Sequence, residues 1–116
     1  MDFDRLIAGG EWTRFGKYEP NICRVQRLIK EARYGFAFPN GYGAEILQSP
    51  YSLGGKYGLY SLAVLVKKRN GKGKYRIDYK SEIAPHGIAG YLTVDVAGLL
   101  LAEIEALPPI QGEEVK

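Results

Sequence analysis

The stretch LAVLVKKRNGKGKYRIDY, residues 62–79, determines most of what can be predicted about the fold. Asn70-Gly71 lies within it, between two segments predicted as strands, and Asn40-Gly41 lies between two other such segments. A tight hairpin turn needs positive φ at both central residues, which glycine adopts freely and asparagine tolerates. We therefore expect two β-hairpins.

The second hairpin has a predictable register. A two-residue loop at Asn70-Gly71 would pair residues whose numbers sum to 141, and the apolar residues of both strands would then share one face. That face is expected to be buried and to carry Leu62, Val64, Val66, Ile77 and Tyr79. The charged residues of the last strand would lie on the opposite, solvent-facing side.

Two segments outside the hairpins have helical periodicity. The first spans 21–33, begins after Pro20, and has one apolar stripe of Ile22, Val25, Leu28, Ile29 and Ala32. The second spans 94–106, with Thr93 as its N-cap and Pro108-Pro109 beyond its end. The predicted class is α+β, in the order α-β-β-β-β-α. It is a four-stranded antiparallel sheet built from two hairpins and flanked by two helices.

Length and composition indicate one domain over residues 1–107, with 1–19 as an N-terminal arm and 108–116 as a disordered tail. The single Cys23 excludes an internal disulfide, and one cysteine with one histidine, His86, cannot build a four-ligand zinc site. We expect no cofactor and no metal. The acidic start of the chain and the short apolar runs predict a cytoplasmic protein that does not enter a membrane.

Charge is distributed unevenly along the chain. Residues 21–80 hold 12 Lys and Arg against 3 Asp and Glu, whereas residues 81–116 hold 1 lysine against 6 acidic residues. Such a basic segment can be an electrostatic footprint for the phosphates of nucleic acid or for an acidic protein, or it can be a solvated sheet edge that lysines protect from aggregation. The candidate basic patch comprises Arg24, Arg27, Lys30, Lys67, Lys68, Arg69, Lys72, Lys74 and Arg76.

The last helix is more apolar than one contact with the core requires. Gly98 in its interior costs about 1 kcal/mol relative to alanine, which indicates close approach of another backbone. The N-terminal arm, through Trp12 and Phe15, or a second molecule could cover this helix. The residues Leu99, Ala102 and Ala106 are the candidate partner-binding face, either for a homodimer or for another protein.

No constellation of residues predicts catalysis. His86 has no serine, cysteine or paired carboxylate at a recognisable spacing. The Gly-rich and Tyr-rich segment 48–58 lacks the spacing of a phosphate-binding loop and does not lead from a strand into a helix. The chain is therefore expected not to be an enzyme.

Three segments resemble a family of small, mostly uncharacterised proteins of tailed bacteriophages and prophages. They are FPNGYGA at 38–44, GGKYGLYSLAVL at 54–65 and GYLT at 90–93, and the resemblance covers residues 34–107. Ser61 stands where that family has glutamate. The resemblance implies an accessory protein without catalytic residues, made in the bacterial cytoplasm, that binds and inhibits a host protein such as a defence component. A nucleic-acid-binding module that uses the basic patch is the alternative.

Overall fold

The computed structural model describes residues 14–26, 28–68 and 74–110. Its described part is an α+β fold with an antiparallel sheet and one α-helix, which confirms the predicted class. The predicted layout of four strands and two helices is not confirmed, because the described residues form a six-stranded sheet with one α-helix. The elements are β1 (Ile22–Gln26), β2 (Glu31–Ala37), β3 (Tyr42–Gln48), β4 (Tyr60–Lys67), β5 (Tyr75–Ile77), β6 (Ala89–Leu92) and α1 (Val94–Glu105).

The strands form one sheet in the order β1-β2-β3-β4-β5. Two strands pair with the edge of β4 that β3 does not occupy. β5 pairs with the last three residues of β4, and β6 pairs with Tyr60 and Leu62 near its start. Helix α1 packs on one face, against β3, β4 and β6. Fully buried side chains of the sheet and of the helix include Ile46, Leu62, Val64, Ala97, Leu101 and Ile104.

The predicted first helix is absent, and a β-hairpin occupies its place. Strands β1 and β2 pair antiparallel, with Cys23 opposite Tyr34 on the core side. Leu28 and Ile29, which the helical stripe placed in the core, lie in the exposed turn between these strands, where Lys30 has a positive φ of 53°. The helix prediction was wrong because burial follows the period-2 alternation set by pairing with β2 and β3.

The Asn40-Gly41 hairpin is confirmed, but its turn is not a two-residue one. Phe38 and Tyr42 close the loop, and Gly41 N–H donates to Phe38 O. Gly41 has a φ of 92°, whereas Asn40 is not among the described residues with positive φ. A three-residue loop of this kind needs only its last residue in the left-handed region.

The predicted register of the β4–β5 hairpin is wrong by one residue. Leu65 pairs with Ile77 and Lys67 pairs with Tyr75, so paired numbers sum to 142. Lys68 N–H donates to Lys74 O, which makes the loop longer than two residues; Asn70-Gly71 itself lies outside the described residues. A one-residue change reverses which face each side chain occupies.

The altered register changes what is buried. Leu62 and Val64 are fully buried as expected, and Val66 is half-buried. Ile77 pairs with Leu65 on the face opposite the helix, and Tyr79 is exposed. The face of the sheet that α1 does not cover, called here the helix-free face, therefore receives Tyr75 and Ile77.

The close backbone approach expected at Gly98 is confirmed, and the other backbone belongs to the same chain. A Cβ on Gly98 would lie 2.9 Å from the nitrogen of Gly16 and 3.0 Å from the carbonyl of Phe15. The Phe15 ring is fully buried and packs edge-to-face on Tyr34 and Tyr60. Trp12, the other residue expected to cover the helix, lies outside the described residues.

Candidate protein-binding surfaces

Exposed aromatic side chains are carried by two segments that are in contact, the β3–β4 connection and β6. Tyr51, Leu53 and Tyr57 come from the β3–β4 connection, and Tyr91 comes from β6. The exposed fractions of Tyr51, Tyr57 and Tyr91 are 92%, 67% and 60%. Tyr91 N–H donates to Leu53 O at 3.3 Å, which joins the two segments. We call Tyr51, Leu53, Tyr57 and Tyr91 the aromatic surface.

Local hydrogen bonds hold the β3–β4 connection in shape. The Ser52 hydroxyl accepts from Ser49 N–H at 3.0 Å and donates to Ser49 O at 3.0 Å. Gly55 N–H then donates to Ser52 O, and Gly58 N–H donates to Gly55 O across a single 3-10 turn. A side chain on Gly55 would collide with Ser49 O. The tyrosines are thus presented by a connection that is ordered before any partner arrives.

Backbone strain occurs at one of the exposed aromatic residues. Tyr91 has a φ of 58°, in the left-handed region that a bulky residue rarely adopts. The pairing of β6 with β4 is irregular there, between the Tyr60 and Leu62 pairs. A Cβ on Gly54 would lie 2.9 Å from the Tyr91 Cα, so the β3–β4 connection packs directly on the strained residue. Strain of this kind persists only where surrounding contacts impose it.

A groove of about 230 Å³ crosses the helix-free face of the sheet. Gly35 forms part of its floor, and the side chains of Ile22, Leu65 and Tyr75 line it. The Tyr75 ring lies over Gly43, since a Cβ there would be 3.3 Å from its Cε1 atom. The groove is a product of the register, because only the observed pairing puts Tyr75 on this face.

Two arginines line the groove, and their surroundings differ. Arg33 is held by Glu31, with Nε to Oε2 at 2.7 Å, and by Glu45, with Nη1 to Oε1 at 2.9 Å. The hydrogen bond to Glu31 is the main cause that raises the pKa of Arg33. Arg24 lies directly opposite Arg33 on β1, is exposed, and has no salt bridge within residues 14–26, 28–68 and 74–110.

Among the described residues, the members of the candidate basic patch are not brought together. Arg24 shares a row of paired residues with Ser61 of β4, and Lys67 is six residues farther along that strand. Because a β-strand rises roughly 3.3 Å per residue, Arg24 and Lys67 are separated by roughly 20 Å along the strand direction. Lys30 lies at the Arg24 end, Lys68 and Lys74 lie at the Lys67 end, and Arg76 pairs with Val66 on the helix side. Arg27, Arg69 and Lys72 lie outside the described residues.

The candidate partner-binding face of the last helix is partly accessible. Leu99 is 65% exposed, Ala106 is exposed and Ala102 is half-buried. Gly98 does not belong to this face, because a Cβ on Gly98 would lie against the backbone of Phe15 and Gly16. This face therefore stays a second candidate contact surface.

Sequence reasoning missed the aromatic surface and the groove. The abundance of tyrosine, serine and glycine in 48–58 was a usable signal, because these residue types dominate adaptable binding loops. Nothing local could have predicted the groove, since residues from five strands line or border it.

No protein-family model matches the chain, and comparisons with curated proteins and with solved structures found no significant match. The described residues contain no helix long and apolar enough to cross a membrane. They also contain no cluster of three or more side chains of the kinds that bind metal ions. The phage resemblance stays a prediction.

Proposed function

We propose that this chain is a non-enzymatic accessory protein of the bacteriophage type, which acts in the cytoplasm of a bacterial host by binding and inhibiting a host protein such as a defence component. The observation that carries the proposal is the aromatic surface. The resemblance of the segments at 38–44, 54–65 and 90–93 to small phage proteins supplies the biological setting.

The physical case rests on what exposed tyrosines contribute to a protein interface. Tyrosine gives a large, rigid contact area with only two side-chain torsions to fix, and it is enriched among the residues that dominate binding energy. Tyr51, Tyr57 and Tyr91 leave most of their surface in water, although burying such rings is favourable. Because the backbone beneath them is already ordered, little entropy is lost when a partner covers them.

Affinity capture from a bacterial lysate tests the proposal. The tagged protein, with and without nuclease treatment, is compared with the double variant Tyr51→Ser, Tyr57→Ser. We expect one or more host proteins to be captured by the wild type after nuclease treatment and lost with the double variant. Both replaced side chains are exposed, so the variant should fold normally, which circular dichroism would check.

The variant Leu99→Ser is the matched control, because Leu99 is as exposed as Tyr57 but lies on the helix. Capture that survives the tyrosine changes and is lost with Leu99→Ser would assign the contact to the helix face and refute the role of the aromatic surface.

A nucleic-acid-binding module is the second candidate. The observation that favours it is the group of exposed lysines at one end of the sheet, Lys67, Lys68 and Lys74. Binding through them should fall steeply with salt, because lysine contacts with phosphate release condensed counterions. A gel shift at low salt that disappears when these three lysines are changed to alanine would favour this candidate over the first.

A further inference from the structure

The groove on the helix-free face has a shape suited to a single large side chain. Its volume of about 230 Å³ is below the range usual for sites that enclose a drug-sized molecule. Gly35 contributes no side chain to the floor, and its nearest neighbour across the strands is Ile22, whose Cβ lies 3.7 Å from where a Cβ on Gly35 would be. The space above Gly35 is therefore open to a guest.

The side chains around this space are mainly apolar. Ile22 is about half exposed beside the floor, and Leu65 and the Tyr75 ring lie on the other side. An aromatic or long aliphatic group would be covered on two sides and would remove these side chains from water.

Charge determines what should accompany that apolar group. The guanidinium of Arg33 is already bound to Glu31 and Glu45, whereas Arg24 on the opposite strand has no carboxylate partner among the described residues. Glu45, which also lines the groove, is thus neutralised by Arg33, and Arg24 is left as the groove-lining cation to which a guest carboxylate could make a bidentate contact.

We propose that this groove is a peptide-binding site, which takes an acidic segment of a partner protein and receives one large apolar side chain of that segment between Ile22 and Tyr75, with an adjacent carboxylate bound by Arg24. The site is separate from the aromatic surface and does not depend on it. Removal of the tyrosines at the aromatic surface should leave peptide binding unchanged.

The test is a titration of the isotope-labelled full chain, followed by amide chemical shifts in NMR. The probe is a heptapeptide with one phenylalanine between two pairs of aspartates. Matched probes replace the phenylalanine by alanine, or all aspartates by lysine. We expect saturable shifts centred on Ile22, Gly35 and Tyr75 with the acidic phenylalanine peptide, at least tenfold weaker binding with alanine, and no binding with lysine.

Two variants locate the site on the protein. Gly35→Val should weaken binding at least tenfold, because it fills the floor at a position whose backbone is compatible with side chains. Arg24→Gln should weaken binding severalfold and reduce its dependence on salt. Ala63→Val is the control, since Ala63 lies in the same row of the helix-free face as Gly35 but does not line the groove.

The milder variant Gly35→Ala replaces Gly35→Val if the larger side chain disturbs folding, because its Cβ makes only ordinary contact with Ile22. The proposal is overturned if the acidic phenylalanine peptide causes no saturable shifts. It is equally overturned if Gly35→Val and Ala63→Val bind the peptide alike, or if the lysine peptide binds as well as the aspartate peptide.

Discussion

The side-chain amide of Asn40 donates a hydrogen bond to the carbonyl oxygen of Ile104 at 2.9 Å, across 64 positions of the chain. The same nitrogen also lies within hydrogen-bond distance of the carbonyl oxygens of Glu105 and Leu107, at 3.2 and 3.1 Å. Its Oδ1 atom accepts from Tyr42 N–H at 3.0 Å. Asn40 therefore both shapes the β2–β3 turn and caps the C-terminal end of α1, whose last carbonyls have no partner within the helix.

The segment that follows α1 contacts the same β2–β3 turn. Ile110 N–H donates to Asn40 O at 3.0 Å, and the Ile110 side chain packs against Gly41. Ile110 is thus fixed to the β2–β3 turn, and the rest of the predicted tail, residues 111–116, lies outside the described residues.

Replacing Asn40 by aspartate should destabilise the protein by about 1–3 kcal/mol, because a carboxylate cannot donate and would face the negative end of the helix dipole. Asn21→Asp is the control, since Asn21 uses only its oxygen, which accepts from Ala37 N–H at 2.8 Å. Urea unfolding of both variants measures the difference. Equal losses of stability would show that Asn40 does not act as a helix cap.

Gly98→Ala should lower the free energy of unfolding by about 1–3 kcal/mol, the usual range for overpacking. In an unobstructed helix the same change would stabilise by about 1 kcal/mol. The reason for the reversal is that the new methyl would meet the Phe15–Gly16 backbone at 2.9 to 3.0 Å. Thermal or urea unfolding checks the sign, with Gly35→Ala, where ordinary contact is expected, as the control. A more stable Gly98→Ala protein would contradict the packing of Phe15 on the helix.

Leu99→Glu should leave the folded monomer intact, because Leu99 is 65% exposed and the carboxylate would stay in water. If the helix face mediates a homodimer, the variant should sediment as a monomer while the wild type does not. Analytical ultracentrifugation with parallel unfolding curves measures both properties. Loss of cooperative unfolding in the variant would show that Leu99 belongs to the core.

Alkaline pH should destabilise the protein in part through Tyr18. Burial, together with the hydrogen bond that its hydroxyl donates to Glu105 at 2.6 Å, raises the pKa of Tyr18 to about 12. The pKa of tyrosine in an unfolded chain is about 10, so the neutral form is favoured in the folded state. The stabilisation from this group is complete below about pH 10 and is lost as the pH rises through about 12.

The variant Tyr18→Phe isolates that contribution. At pH 8 it should unfold more easily than the wild type, by about 1 kcal/mol for one hydrogen bond. The difference should shrink between pH 10 and pH 12, as measured by urea unfolding at each pH. A difference that stays constant over this range would exclude Tyr18 as the titrating group.

Local chemistry alone predicted several elements of this protein. Helix α1 was predicted for 94–106 and spans Val94–Glu105, with the Thr93 hydroxyl accepting from Val96 N–H at 3.2 Å as an N-cap does. The hairpin at Asn40-Gly41 was also predicted. Leu62 and Val64 are buried as predicted, although the register used to predict them is wrong. The helix and the hairpin depend on residues close together in the sequence: a cap with its helix, and a glycine in its turn.

Tertiary structure alone decided the rest. The segment 21–33 has a helical stripe, yet it forms a hairpin because pairing of β2 with β3 makes Tyr34 and Phe36 face the core and draws Cys23 to the same side. The register of β4 and β5 depends on the length of the loop between them, and the groove depends on that register. Strand pairing joins residues that are distant in sequence, so its outcome is set by which faces can be buried together and not by local preference.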